Sequence, residues 1–325
     1  MSAEGCLRLE IGVRDGLTEV IRQYQRAPLQ AQPPIYSDPQ CPGMAWVYML
    51  LLGGGILQGD RLRTDIRVCP GAQVHLTTPA ATLLYRSPAG PSHHAVTIRA
   101  EADSYVEYFP GAVIPFRGAR YSETVSLAVD PKANLACGGV VSAGRTAMNE
   151  LHAYDRYTCR LTARDLQGHL QFLDTTELEP ERASPTRPGL LGRFTVLGGL
   201  HLLSSRCGDT SFASAVLALL HNDGTVKAGI SELPSGAGLS VRVLGTSMED
   251  VAAALHAILG VFRSHTRVRR EASPGSIRDA EVLAGHELVT ARISTSRPTG
   301  RNGATAHSKT VVQGAGPVAS GGVKA

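Results

Sequence analysis

Short runs of alternating apolar and polar residues, broken at close intervals by turn residues, constrain this chain more than any other feature. In RLRTDIRV (Arg61–Val68), Leu62, Thr64, Ile66 and Val68 share one face and the charges share the other, the period-two pattern of a half-buried strand. LRLEI (Leu7–Ile11), TEVIRQYQ (Thr18–Gln25), VHLTT (Val74–Thr78), AVTIRA (Ala95–Ala100), ETVSLAV (Glu123–Val129) and LSVRVL (Leu239–Leu244) read the same way. CPGAQ (Cys69–Gln73) supplies a turn between two of them. With 35 glycines and 19 prolines in 325 residues, turns are frequent enough to favour short strands and to argue against repeated βαβ units. The expected fold is mostly β, and no repeat of fixed period is visible.

Two segments read as helices near the C-terminal end of the patterned region. In DTSFASAVLALLHNDG (Asp209–Gly224) the stripe is Phe212, Ala215, Val216, Leu219 and Leu220, with caps at Asp209 to Ser211 and a stop at Asn222-Asp223-Gly224. In TSMEDVAAALHAILGVFRSH (Thr246–His265) it is Val251, Leu255, Ile258, Leu259 and Phe262, and Ser247 with Asp250 resembles a capping box. From about Ser296 the chain turns to Gly, Ala, Ser, Thr and Pro without apolar periodicity. Such a composition cannot offset ordering entropy, so one domain over 1–295 and a disordered tail over 296–325 are expected.

Charge and cysteine usage exclude several classes. A net charge of +4 is mild, and the one dense basic run, RSHTRVRR (Arg263–Arg270), reads as a solvated helix end rather than a nucleic-acid face. Cys6, Cys41, Cys69, Cys137, Cys159 and Cys207 include no C-x-x-C, so reduced thiols in a cytoplasmic protein are expected rather than a zinc ribbon or a disulfide framework. The start MSAEGCLRLE lacks a signal-peptide pattern, and Val47–Leu57 is too short and glycine-rich to span a bilayer.

LLGGGILQGDRL (Leu51–Leu62) looks at first like a ligand cradle. A phosphate loop of the G-x-x-x-x-G-K-[ST] type would need Lys and a hydroxyl where Asp60 and Arg61 stand. A dinucleotide fingerprint from Gly53 meets Gln58 where its last glycine belongs, and a strand pattern follows instead of a helix. The glycines therefore serve the backbone, through positive φ or close chain approach. VVSAGR (Val140–Arg145) has Val140 where a nucleophile elbow needs glycine, and His93-His94 point to opposite faces of a strand. Scattered ligand types remain at Asp60, His75, Glu107, Cys137, Glu150, His152 and Cys159, and imidazole with carboxylate suits Ni²⁺. Their spacing alone assembles no site, and neither catalytic nor cofactor-binding residues are expected.

The order of the motifs carries a resemblance. LLGGGILQGDRL followed by VCPGAQVHLTTPAATLLYRS (Val68–Ser87), YVEYFPGAVIPFRGARY (Tyr105–Tyr121), GGVVSAGRTAMNE (Gly138–Glu150) and DRYTCRLTARDLQGHLQFLDTTELEP (Asp155–Pro180) resembles, in chain order, the urease accessory protein family UreD, also called UreH. Pro79, Leu83 and Asn149 depart from the family's usual residues. The resemblance implies stacked, β-helix-like sheets with a small two-helix part, and no catalytic activity. It implies binding to apo-urease, recruitment of UreF and the GTPase UreG, and nickel insertion, with nickel transient or conducted through the interior. Asp60, with Glu107 or Glu150, then either favours cations along a passage or, for Asp60, pairs with Arg61 or caps the turn. Interface candidates on the shared motifs are Gly53, Gly54, Gly55, Gly59, Asp60, Arg61, Thr77, Thr78, Tyr85, Arg86, Pro110, Phe116, Gly144 and Arg145; the aromatics serve equally as core. The competing readings are a metal-dependent hydrolase and a generic β-sandwich binding module.

Overall fold

The structure is a computed structural model that describes residues 2–39, 41–207, 210–221 and 225–266. In chain order the strands are β1 (Glu4–Arg14), β2 (Leu17–Arg26), β3 (Leu29–Ala31), β4 (Ala45–Leu51), β5 (Arg61–Val68), β6 (Gln73–Thr77), β7 (Thr82–Leu84), β8 (Ser92–Ala100) and β9 (Tyr105–Tyr108). They continue with β10 (Val113–Pro115), β11 (Arg120–Val129), β12 (Asn134–Ser142), β13 (Arg156–Arg164), β14 (Leu170–Leu178) and β15 (Val196–Leu203). Helix α1 (Thr210–His221) precedes β16 (Lys227–Glu232) and β17 (Gly238–Gly245), and α2 (Met248–Thr266) follows.

The strands form two stacked sheets, in the β-helix-like manner the resemblance implies. One has the order β14-β13-β11-β8-β5-β1-β2; the other runs β16-β17-β15-β12-β9-β6-β4-β3. The chain passes from the first sheet to the second at Cys69–Ala72, Glu101–Ser104 and Asp130–Ala133. Each passage is a turn closed by an i to i+3 backbone bond, of 3.2, 3.1 and 2.9 Å. These turns stack, since Tyr105 N–H donates to the Ala72 carbonyl and Asn134 N–H to that of Ser104. The coils are unequal in length, which is why no fixed period shows in the sequence. Successive coils pair in parallel, β5 with β8, β8 with β11, and β6 with β9, while hairpins finish both ends of the first sheet.

Alternation decides what lies where. On β5, Leu62, Thr64, Ile66 and Val68 are buried as expected, and they join a core between the sheets with Leu7, Val96 and Leu127. The central strands of the second sheet are buried on both faces, while the edge strand β16 is exposed. The sheet's outer face holds Ala136, Leu200, Val241 and Val243 against the helices, where Val251, Leu255, Ile258, Leu259 and Phe262 form the expected stripe of α2. Ser247 Oγ accepts from Asp250 N–H at 3.2 Å, giving the forward half of the capping box.

Two expectations change, and others fall outside the described residues. On α1, Phe212 and Val216 of the proposed stripe are buried, whereas Ala215 and Leu219 are exposed, because the helix packs beside α2 through Phe212 and Val216. Its anticipated cap at Asp209 and stop at Asn222–Gly224 lie outside the described residues, as does the whole 296–325 tail. Of the basic run at the end of α2, residues 267–270 lie outside the described residues, and Arg263 turns inward instead of being solvated. Its Nε and one terminal nitrogen bond Glu107 at 2.9 and 2.8 Å, and the other bonds Asp38 at 2.7 Å. Glu107 also meets His75 Nδ1 at 2.5 Å and the Tyr105 hydroxyl at 2.6 Å. Burial works to raise the Glu107 pKa, yet His75 and Arg263 together hold it at about 2.

Removing one partner from a buried ion pair leaves an uncompensated charge. Arg263→Ala should therefore cost about 3–5 kcal/mol, read as a lower urea midpoint, while exchanging the exposed Arg164 should change the midpoint little.

Candidate functional site

Parallel, in-register pairing lines up residues that are far apart in sequence. Across the first sheet, His94 on β8 pairs with Glu123 on β11, Glu123 with Cys159 on β13, and Cys159 with Thr176 on β14. Across the second, Tyr108 on β9 pairs with Cys137 on β12, and Cys137 with His201 on β15. Both rows border the same space between the sheets, a cavity of about 140 Å³ that also touches Asp174 and Arg242. Its wall is mainly apolar, with the two rows supplying its polar groups, and its size leaves room for water beside them.

The chemistry of the rows is set by burial. His94 Nε2 lies 3.0 Å from Thr64 Oγ1, and its Nδ1 lies 3.6 Å from Glu123. Burial lowers the His94 pKa to about 4, so the imidazole is neutral with a lone pair to offer. Burial raises Glu123 to about 7, opposed by a hydrogen bond from Cys159, and it pushes the Cys137 and Cys159 thiols upward. Imidazole, thiol and carboxylate are ligands for borderline divalent cations. Adjacent strands stand about 4.8 Å apart, so a row of such groups lines a track instead of closing round one ion. Among the described residues no three His, Cys, Asp or Glu side chains converge to hold a metal.

At the β14–β17 end the donors change. Asp174 Oδ2 lies 3.4 Å from His201 Nε2 and pairs with Arg242. The His201 and Arg242 contacts hold the Asp174 pKa at about 2 despite partial burial. Gly139 and Gly199 face one another in the β12–β15 ladder, and Gly199 pairs with Arg242 on β17. A Cβ on Gly199 would sit 2.4 Å from an Arg242 terminal nitrogen, so the guanidinium reaches Asp174 across a glycine floor.

The three expected passage carboxylates occupy separate networks, and none borders this cavity. Asp60 is 3% exposed, with its oxygens accepting the Ala3 and Leu57 backbone N–H groups at 2.7 and 2.8 Å, so it caps the glycine loop and ties the N-terminal strand to it. Glu107 points to the helix face of β9, the opposite side from Tyr108, because strand neighbours alternate. Glu150 is held by Arg145 at 2.8 and 2.7 Å, hydrogen bonds that keep its pKa below the usual carboxylate range. His94 drew notice only as half of the His93-His94 pair, and Glu123, His201, Asp174 and Arg242 were not singled out in the sequence; their only signal is an inward position on a strand.

Many motif residues do converge, on a second feature at the surface. Gly55, at φ +140°, runs so close to β7 that a Cβ would lie 2.4 Å from the Leu83 carbonyl oxygen, and Gly54 packs on the Tyr85 hydroxyl. The Tyr85 ring meets Phe116 edge-on at 5.0 Å, and the Arg145 guanidinium lies 4.1 Å from the Phe116 ring centroid. Gly144, at φ +126°, folds the chain so that Glu150 comes back to Arg145. Exposed Arg86 packs on Gly118 nearby, and Met148, 66% exposed, follows Arg145 in the same turn segment. Thr78 and Pro110 lie elsewhere, at the cavity wall, Thr77 ends β6, and Gly53, Gly59 and Arg61 shape or flank the capped loop.

Two stacked sheets with rows of polar groups on the wall of a mainly apolar cavity, and a separate aromatic–arginine surface, describe a coiled β scaffold. The family model for UreD, urease accessory protein, matches residues 3–279. Urease accessory protein UreD 2 of Streptomyces griseus is 38% identical over 272 residues, covering 80% of this chain and 89% of that protein. Urease accessory protein UreD of Cenarchaeum symbiosum is 34% identical over 258 residues, covering 79% and 90%. The chain belongs to the UreD family of urease accessory proteins. No helix among the described residues is long and apolar enough to cross a membrane.

The buried Glu123 carboxyl gives a test of the interior electrostatics. Its raised pKa means the folded state keeps a proton that the unfolded chain releases between about pH 4.5 and 7, so ionising it costs stability as pH rises through that window. Glu123→Gln should therefore gain stability relative to the parent as pH increases, reaching about 3 kcal/mol and levelling off above pH 7 in urea titrations.

Proposed function

We propose that the protein is a cytoplasmic urease maturation factor, not an enzyme, that binds apo-urease, recruits UreF and UreG, and conducts nickel through its interior. The observation that carries this reading is the pair of facing rows, His94–Glu123–Cys159 and Cys137–His201, bordering one cavity between the sheets. Nickel is cargo in this reading. Neutral imidazole and ionisable carboxylate exchange a divalent cation for protons, and spaced ligands bind it weakly enough to release it. The membership of the UreD family supports the partnership with urease machinery.

The Tyr85–Phe116–Arg145 cluster is the proposed docking surface, since aromatic and arginine anchors supply most hot-spot energy, roughly 2 kcal/mol or more each. Its packing around Gly54, Gly55 and Gly144 keeps these side chains preorganised, which lowers the entropy cost of association.

Gly139 offers the cleanest test of the interior route. It borders the cavity, and a Cβ there meets nothing within 4 Å. Gly139→Leu should fold and still co-purify with UreF, yet lower the nickel content of urease at least about tenfold when metal is assayed in the purified enzyme. Normal loading would remove the interior passage. Phe116→Ala and Arg86→Ala should weaken UreF pull-down with little change in melting temperature.

A further inference from the structure

We propose that the cavity between the sheets is also a binding site for a small uncharged aromatic molecule with one hydrogen-bonding head, an aryl alcohol or aryl amide. The site would stand without the interior-passage reading, since it requires only the cavity and its wall.

Size and lining set the body of the ligand. At about 140 Å³ the cavity approaches the roughly 150 Å³ of an apolar protein cavity that takes up benzene, which is room for one ring. Leu7, Leu62, Val125 and Leu161 border it together with Tyr108, Tyr121 and Tyr157. Along β11 and β13 the successive inward pairs are Tyr121–Tyr157, Glu123–Cys159 and Val125–Leu161, so one polar pair stands between an aromatic and an aliphatic pair. The Tyr121 and Tyr157 rings are stacked, with centroids 6.0 Å apart and planes 27° from parallel. Such a wall favours burial of an apolar ring and offers it offset or edge contacts. A mostly apolar lining with a few placed polar groups is also the usual make-up of a small-molecule site.

The polar groups set the head. His94 and Glu123 lie between the sheets, yet their side chains keep 15% and 14% of their surface accessible, and both border the cavity. Little net charge faces that space. Burial leaves His94 a neutral imidazole and keeps the Cys137 and Cys159 thiols protonated, while Asp174 and Arg242 neutralise each other at the β14–β17 end. Below about pH 7 the Glu123 carboxyl holds its proton, so it both donates and accepts, as a hydroxyl or an amide requires of its partner. Transferring an ion from water into this space costs far more than transferring a neutral dipole that finds a hydrogen bond there.

The test is calorimetric titration at pH 6 of the purified full-length chain with four probes of one shape: benzyl alcohol, benzamide, benzoate and benzylammonium. The two uncharged probes should bind one site, each at least about tenfold more tightly than either ion. Glu123→Leu should weaken benzamide about fivefold by removing the partner of its head. Gly139→Leu, which sends a side chain into the cavity, should abolish binding of both uncharged probes. Equal affinity for all four probes, or no binding of the uncharged pair, overturns the proposal, and these measurements on the parental chain stand even where a variant fails to fold. Parental benzamide affinity in a folded Gly139→Leu or Glu123→Leu protein overturns it as well. A Gly139→Leu protein that loads urease normally but no longer binds benzamide removes the passage and keeps the site. One that blocks loading yet binds benzamide as the parent does removes the site and keeps the passage.

Discussion

In-register parallel pairing between successive coils is the constraint from which the other features of this protein derive. A strand contributes every second side chain to the interior, and register places each beside its counterpart on the next coil. A single inward polar residue is a liability in an apolar core, whereas a row of them can share hydrogen bonds, protons and water. His94, Glu123 and Cys159 occupy one such row, with Thr64 bonding the first of them. Slipping one strand by one residue would put Glu123 outside and break the row.

The second sheet is the element that both faces of the molecule use. Its inner side carries Tyr108, Cys137 and His201 toward the cavity, and its outer side carries Ala136, Leu200 and Val243 toward the helices. Glu107 shows how sharply the two are separated. It neighbours Tyr108 in sequence, yet it lies beneath α2 in a pocket of His75, Tyr105 and Arg263. The Glu107–Arg263 pair fixes the end of α2 against the sheet.

The glycine loop belongs to this architecture rather than to any ligand. Gly55 lets the chain cross β7 at backbone contact distance, Asp60 closes the loop with two backbone hydrogen bonds, and Tyr85 rests on Gly54. Through Tyr85 the loop supports Phe116, and Phe116 supports Arg145 and so Glu150. Four sequence motifs that are far apart in the chain thereby form one small surface.

Local pattern determined much of this on its own. Alternation in Arg61–Val68 set which residues of β5 are buried, and spacing in Thr246–His265 set the buried stripe of α2, because both depend only on near neighbours along the chain. The order of motifs was sufficient to identify the family. What the sequence could not reveal is which inward residues meet. His94, Glu123, Cys159, His201 and Asp174 have no common spacing, and only the register of coils of unequal length makes them neighbours. The inward turn of Arg263 was hidden for the same reason: a basic helix end looks solvated until a carboxylate more than one hundred residues upstream is folded beneath it. Short-range periodicity is written in the chain, whereas long-range electrostatic partnership exists only once the sheets have stacked.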